Sequence, residues 1–309
     1  MMTDKEFRKM RNPMGNKDRF IKIQDIKTPA VLGFIAVYIY AVISVLLKDP
    51  SNALAFIGMS TGALLLIWLI IEITKKIKAP DFDIKKPGWE LAFGLLIVAI
   101  LDFMPLPKLD FGDKWSLGFI FKKNLIWVFL PFVFLKLRKN SLSSMGLTTA
   151  SWKKNLQTGL IIFFAMAIPG AFYSNTMSLI IGGELSSVRI GLGFPISFVY
   201  FLLMSGFSEE FLFRAFIQTR FSTMLKSKLG GVLITALLFG LLHIGDIMGW
   251  YPGTTITEAF CRAFFVQTFL GLIFGVLWER TRSLIPCVFL HSGIDGLNNL
   301  GSVISKLGL

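Results

Sequence analysis

Along the chain, long apolar runs alternate with short polar ones. The runs cover residues 30–47, 53–74, 91–104, 124–135, 156–173, 194–204, 230–242, 264–278 and 284–304. Several approach the ~20 residues that cross a bilayer as a helix, and the others reach that length only by taking in polar positions. The pattern predicts an all-α fold: a polytopic transmembrane helix bundle of about eight or nine helices. No internal repeat and no low-complexity tract interrupts the series, so 1–309 reads as one membrane domain. Residues 1–28 are polar and of mixed charge with no cleavage site after the first run, which is unlike a removable signal peptide.

Composition agrees with the pattern. The 309 residues are 54% hydrophobic, include 31 Phe, and only 17% are charged, against about 25% in a typical soluble domain. The net charge of +13 invites a nucleic-acid reading, but its distribution argues otherwise. If polar segments alternate sides, segments 1–28, 75–86, 136–154, 220–228 and 279–282 together hold 23 Lys and Arg, and segments 48–52, 105–123, 174–191 and 248–262 hold 7. That asymmetry is a topology signal: the N-terminus and the basic side are expected to be cytoplasmic, with residues 1–28 a basic arm near anionic lipid. Nucleic acid is not an expected partner, because no aromatic and basic surface accompanies the charge. The two cysteines, Cys261 and Cys287, make no disulfide framework.

A few polar residues lie inside apolar runs, where a charge costs at least ~2.5–3.5 kcal/mol and marks a candidate functional site. They are Glu209, Glu210, Arg214, His243, Asp246, His291 and Asp295, with Asp102 nearer the edge of its run. Both histidines of the chain are among them. A helical rise of ~1.5 Å per residue, counted from Arg220, Lys228 and Arg282, puts Glu209 about 16 Å deep, His243 about 22 Å, and His291 and Asp295 about 14 and 20 Å. One layer holds them all, so a shared polar cavity open toward the cytoplasmic side is expected.

Spacing within each run sharpens this. Glu210 and Arg214 stand i, i+4 and can pair, leaving Glu209 free to point elsewhere. Phe239 and His243 share a face, as do Cys287, His291, Asp295 and Asn299. The stretches "EEFLFR" (209–214), "FGLLH" (239–243) and "HSGID" (291–295) follow the order EExxxR, FxxxH, HxxxN. In that order the chain resembles the CAAX protease and bacteriocin-processing (CPBP) family of intramembrane endopeptidases, which includes the CAAX prenyl endoprotease. The likeness covers residues 191–305, leaving 29–190 as a helical scaffold matched only in being membrane-embedded. One departure stands out: Asp295 occupies the place of the family's Asn.

The resemblance implies a protease that acts through water without a cofactor. Glu209 would be the general base, His243 would position the water, and His291 with Asp295 would stabilise the oxyanion. Glu210, Arg214, Phe239 and Asn299 would support them. An ionised Asp cannot donate to an oxyanion as Asn does. Asp295 is therefore protonated, or replaced as donor by Asn299, or used to orient His291. The expected substrate is a lipidated or membrane-embedded peptide or protein, whether prenylated or not. Zinc is the alternative, held by Glu209, His243, His291 and Asp295, although no HExxH is present. Cys287 with His291 and Asp295 outlines a cysteine nucleophile, but residues four apart on one rigid helix rarely aim at one atom. Outside proteolysis, the same polar residues suit a proton-coupled transporter, or a catalytically silent scaffold or peptide-immunity factor of the same fold. The spacings Gly58–Gly62 and Gly271–Gly275 predict close helix contacts.

Overall fold

The computed structural model describes residues 28–307, apart from 49, 78, 81, 83, 85, 104–116, 150 and 174. Among them are eleven helices and no strand. They are α1 (Pro29–Lys48), α2 (Pro50–Ile73), α3 (Pro87–Phe103), α4 (Leu117–Leu137), α5 (Trp152–Tyr173), α6 (Asn175–Ile181), α7 (Ser187–Met224), α8 (Lys228–Trp250), α9 (Ile256–Thr281), α10 (Leu284–Asn298) and α11 (Leu300–Leu307). Six of these, α1, α2, α4, α7, α8 and α9, contain stretches long and apolar enough to cross a membrane. The protein is an integral membrane protein built as a polytopic bundle. The proposed N-terminal arm lies outside the described residues.

Local chemistry sets where the helices of the C-terminal half begin. Ser186, Ser227 and Ser283 sit in extended backbone and accept hydrogen bonds from the first-turn amides of Arg189, Gly230 and Ile285. Thr255 and Glu258 close a reciprocal capping box at the start of α9. Each cap satisfies donors that a helix start would otherwise leave bare.

The 38-residue α7 is the axis of the molecule. It absorbs run 194–204 and the acidic motif into one helix. Its backbone widens into π-helical turns at Leu202–Gly206 and Phe211–Gln218, leaving the four-residue α-helical turn Phe207–Glu210 between them. Such turns release carbonyls from the i→i+4 pattern and recur at functional sites. One is used here: the Leu203 carbonyl accepts from Asn124 Nδ2 of α4 at 2.7 Å.

Helices pack by close approach of small residues, as expected where lipid removes most of the hydrophobic drive between helices. A Cβ on Gly206 of α7 would stand 2.1 Å from Ser292 Oγ of α10, and one on Gly271 of α9 would stand 3.0 Å from the Ala236 backbone of α8. Gly271–Gly275 thus marks a contact, as expected. Gly58–Gly62 does not: both glycines face open space.

Charge ties the other end of α7 to its neighbours. Arg220 pairs with Glu90 of α3 at 2.9 Å, and Arg138, just beyond α4, meets the same carboxylate at 3.0 Å. Glu279 of α9 accepts from Gln218 and Ser222 of α7 and pairs with Arg282. Arg220 and Arg282, which the sequence places in basic edge segments, are both buried.

Candidate active site

The site is built where α4, α7, α8 and α10 meet. Glu209 and Glu210 come from the α-helical turn between the π segments, so the two carboxylates leave α7 in different directions. Glu210 is fully buried and saturated. Its Oε2 accepts from Arg214 Nε at 3.0 Å and its Oε1 meets His291 Nδ1 at 2.9 Å. The terminal nitrogens of Arg214 have no hydrogen-bond acceptor among the described residues. They are accommodated instead by aromatic faces, with the guanidinium 5.0 Å from the Phe239 ring centre and 5.6 Å from that of Phe274. The expected pairing of Glu210 and Arg214 is present, and it also reaches a histidine.

His291 is held from three directions. Its ring lies flat on Phe274 at 4.9 Å, its Nδ1 donates to Glu210, and its Nε2 faces Asp295 Oδ2 at 3.4 Å and Glu209 Oε2 at 3.8 Å. Asp295 is in turn fixed by Ser205 Oγ, which donates to Oδ2 at 2.5 Å. Asn299 turns away from the site. Its amide donates to the Asp295 main-chain carbonyl at 2.9 Å, closing the end of α10.

His243 stands at a break in α8, between the segments Lys228–Leu242 and Ile244–Trp250. Its Nδ1 lies 2.7 Å from the Phe239 carbonyl oxygen. A carbonyl can only accept, so Nδ1 carries the proton and a neutral ring leaves Nε2 as an acceptor. The Phe239 ring contacts both imidazoles, 4.7 Å from His243 and 6.2 Å from His291. Both histidines and Glu209 therefore belong to one cluster, which the sequence could only infer from depth.

Sequence reasoning missed one member. Lys123 of α4 is 6% exposed, and its Nζ lies 2.6 Å from Glu209 Oε1 and 4.9 Å from the Trp127 ring centre. The charge pattern places it in the polar connection 105–123. The helix begins at Leu117, so Lys123 belongs to the span rather than to the loop before it. The adjacent Lys122 and two further lysines nearby in sequence disguised it as part of a charged loop.

Glu209, the carboxylate that a zinc ion would need here, is already paired with the Lys123 ammonium, and among the described residues no three His, Cys, Asp or Glu are disposed to hold a metal. Cys287 is wholly buried and its Sγ faces the Phe274 carbonyl, so it packs against α9.

All three motifs fall inside one matched segment. Residues 191–297 match the family model described as Rce1-like, type II CAAX prenyl endopeptidase. This segment is similar to the Rce1-like family. Neither a curated protein nor a solved structure matches the chain significantly. The family likeness supports a CAAX-type intramembrane protease, and the Rce1-like match covers the helices that supply Glu209, Glu210, Arg214, His243, His291 and Asp295.

Proposed function

We propose that the chain hydrolyses a peptide bond in a lipidated or membrane-embedded substrate, using Glu209 as general base. The observation that carries this reading is the state of the Glu209 carboxylate. Oε1 is taken by Lys123, whereas Oε2 is buried with no hydrogen-bond partner among the described residues and lies 3.8 Å from His291 Nε2. A water between Oε2 and the acceptor Nε2 of His243 can donate one hydrogen to each, leaving its lone pair for a carbonyl carbon. Attack passes the water proton to Glu209 and forms a tetrahedral oxyanion. His291, protonated on both ring nitrogens, donates Nδ1–H to Glu210 and Nε2–H to that oxyanion. The intermediate collapses as Glu209 returns the proton to the leaving amine.

Asp295 in this reading orients His291 and is itself held by Ser205, which accounts for a carboxylate where the family has an amide. The apolar surround excludes bulk water and strengthens each of these interactions. The mechanism involves no metal.

The test is cleavage by protein reconstituted in liposomes, presented with a farnesylated CAAX peptide and a panel of acylated and unmodified hydrophobic peptides, with products read by mass. The expected result is a defined cut in at least one lipidated peptide, and loss of about 10²–10³ in kcat for His291→Ala, which removes an oxyanion donor. Cleavage that survives His291→Ala undiminished would contradict the assigned role. No cut in any peptide by well-folded protein would favour the silent scaffold.

A further inference from the structure

We propose that Lys123 is the positioning residue of the general base, gripping Oε1 of Glu209 so that Oε2 is presented to the reacting water. The inference rests on the reading of Glu209 given above. It begins from a cost: a lysine inside a membrane helix is expensive, and such residues face the bundle interior and pair there. Lys123 does both, against a carboxylate contributed by a helix 86 positions away in sequence.

The surroundings show how the amine is aimed. Trp127, one turn further along α4, lies beneath the ammonium and packs edge-on against Phe213 of α7 at 5.7 Å. Asn124, the next residue, donates to the Leu203 carbonyl that the π turn of α7 sets free. Lys123 is thereby docked by the two neighbours that follow it in α4, and its ammonium reaches Glu209 without depending on the pair itself to hold α4 and α7 together.

Charge balance gives the second argument. The titratable and charged groups around Glu209 are Lys123 from α4, Glu210 and Arg214 from α7, His243 from α8, and Cys287, His291 and Asp295 from α10. Arg214 is committed to Glu210, and His291 is shared among Glu210, Asp295 and Glu209. Among the described residues, the ion-pair partner of Lys123 is Glu209. It is the cation that lets Glu209 remain a carboxylate in an apolar layer, which a general base must be before it can accept a proton. One oxygen of Glu209 is held by Lys123, and the other has no hydrogen-bond partner among the described residues and faces His291 at 3.8 Å.

The test compares wild type, Lys123→Met and Lys123→Arg in liposomes, reading kcat and KM from pH 5 to 9 on the best peptide of the panel. Lys123→Met is expected to lower kcat about 10- to 100-fold with little change in KM, because it misplaces the base rather than the substrate. Lys123→Arg, which keeps the charge, should restore most of kcat. An unchanged kcat in Lys123→Met would overturn the proposal. Thermal unfolding of Lys123→Met, Glu209→Gln and the double variant gives an arm independent of turnover. Non-additive melting shifts support the grip, and strictly additive shifts refute it. If Glu209→Gln cleaves as well as wild type, the general-base reading falls, while the melting cycle still decides whether Lys123 holds Glu209.

Discussion

At the scale of single residues, the site is an arrangement of charges that are each spoken for. Glu210 is the hinge of it, since one carboxylate serves both Arg214 and His291 with no exposure to solvent. Removing one member of such a set is far worse than removing all of it, because an uncompensated buried charge remains. Glu210→Gln keeps the shape and loses the charge. It should lower the stability of detergent-solubilised protein by about 3–5 kcal/mol, measured as a drop in the thermal unfolding midpoint. An unchanged midpoint would mean that the phenylalanine faces alone carry Arg214. Two parts of this were legible in the sequence: i, i+4 spacing put Glu210 beside Arg214, and burial of both histidines in apolar runs marked them as site residues. The reach of Glu210 to His291 was not, because spacing describes one helix and says nothing of what the neighbouring helix offers.

At the scale of elements, the position of the glutamates depends on how closely α7 can approach α10. Gly206 lies three residues before Glu209, at the end of the first π turn, and any Cβ there would meet Ser292. Gly206→Ala should push the helices apart, cost about 1–3 kcal/mol from overpacking, and reduce cleavage by more than the stability loss explains. Activity per folded molecule is the quantity to compare; a stable, fully active variant would show that the register of α7 against α10 does not set the site. Helix positions were legible from apolar runs, but two features were hidden. Depth counted from Arg220 already treated 209–220 as helix, but run 194–204 gave no sign that the two are one helix, because the later half carries charged residues that find partners only in the folded bundle. Lys123 was hidden for the related reason that a lysine beside a polar segment resembles the segment. The Gly58–Gly62 spacing misled in the opposite direction: a small-residue repeat permits close packing without supplying a neighbour.

At the scale of the whole molecule, a layer of polar residues is enclosed by helices whose outer faces are apolar. Leu32 and Ile39 of α1, Trp68 of α2, Phe121 of α4, Phe164 of α5 and Val199 of α7 are all exposed, as a bilayer-facing surface requires. Inside, the fully buried Arg214 and Arg220 anchor two separate ionic centres on α7, one at the site and one toward the end of the helix. The account's central claim is that this enclosure brings Glu209 to a water rather than to a metal. The most direct measurement is the initial rate of cleavage of the best lipidated peptide by wild type and Glu209→Gln in the same liposomes, each with and without a strong chelator. The account predicts that Glu209→Gln, destabilised by leaving Lys123 unpaired, still folds but loses cleavage, and that wild type is indifferent to the chelator. Cleavage retained in Glu209→Gln, or abolished by the chelator and restored by zinc, would contradict it.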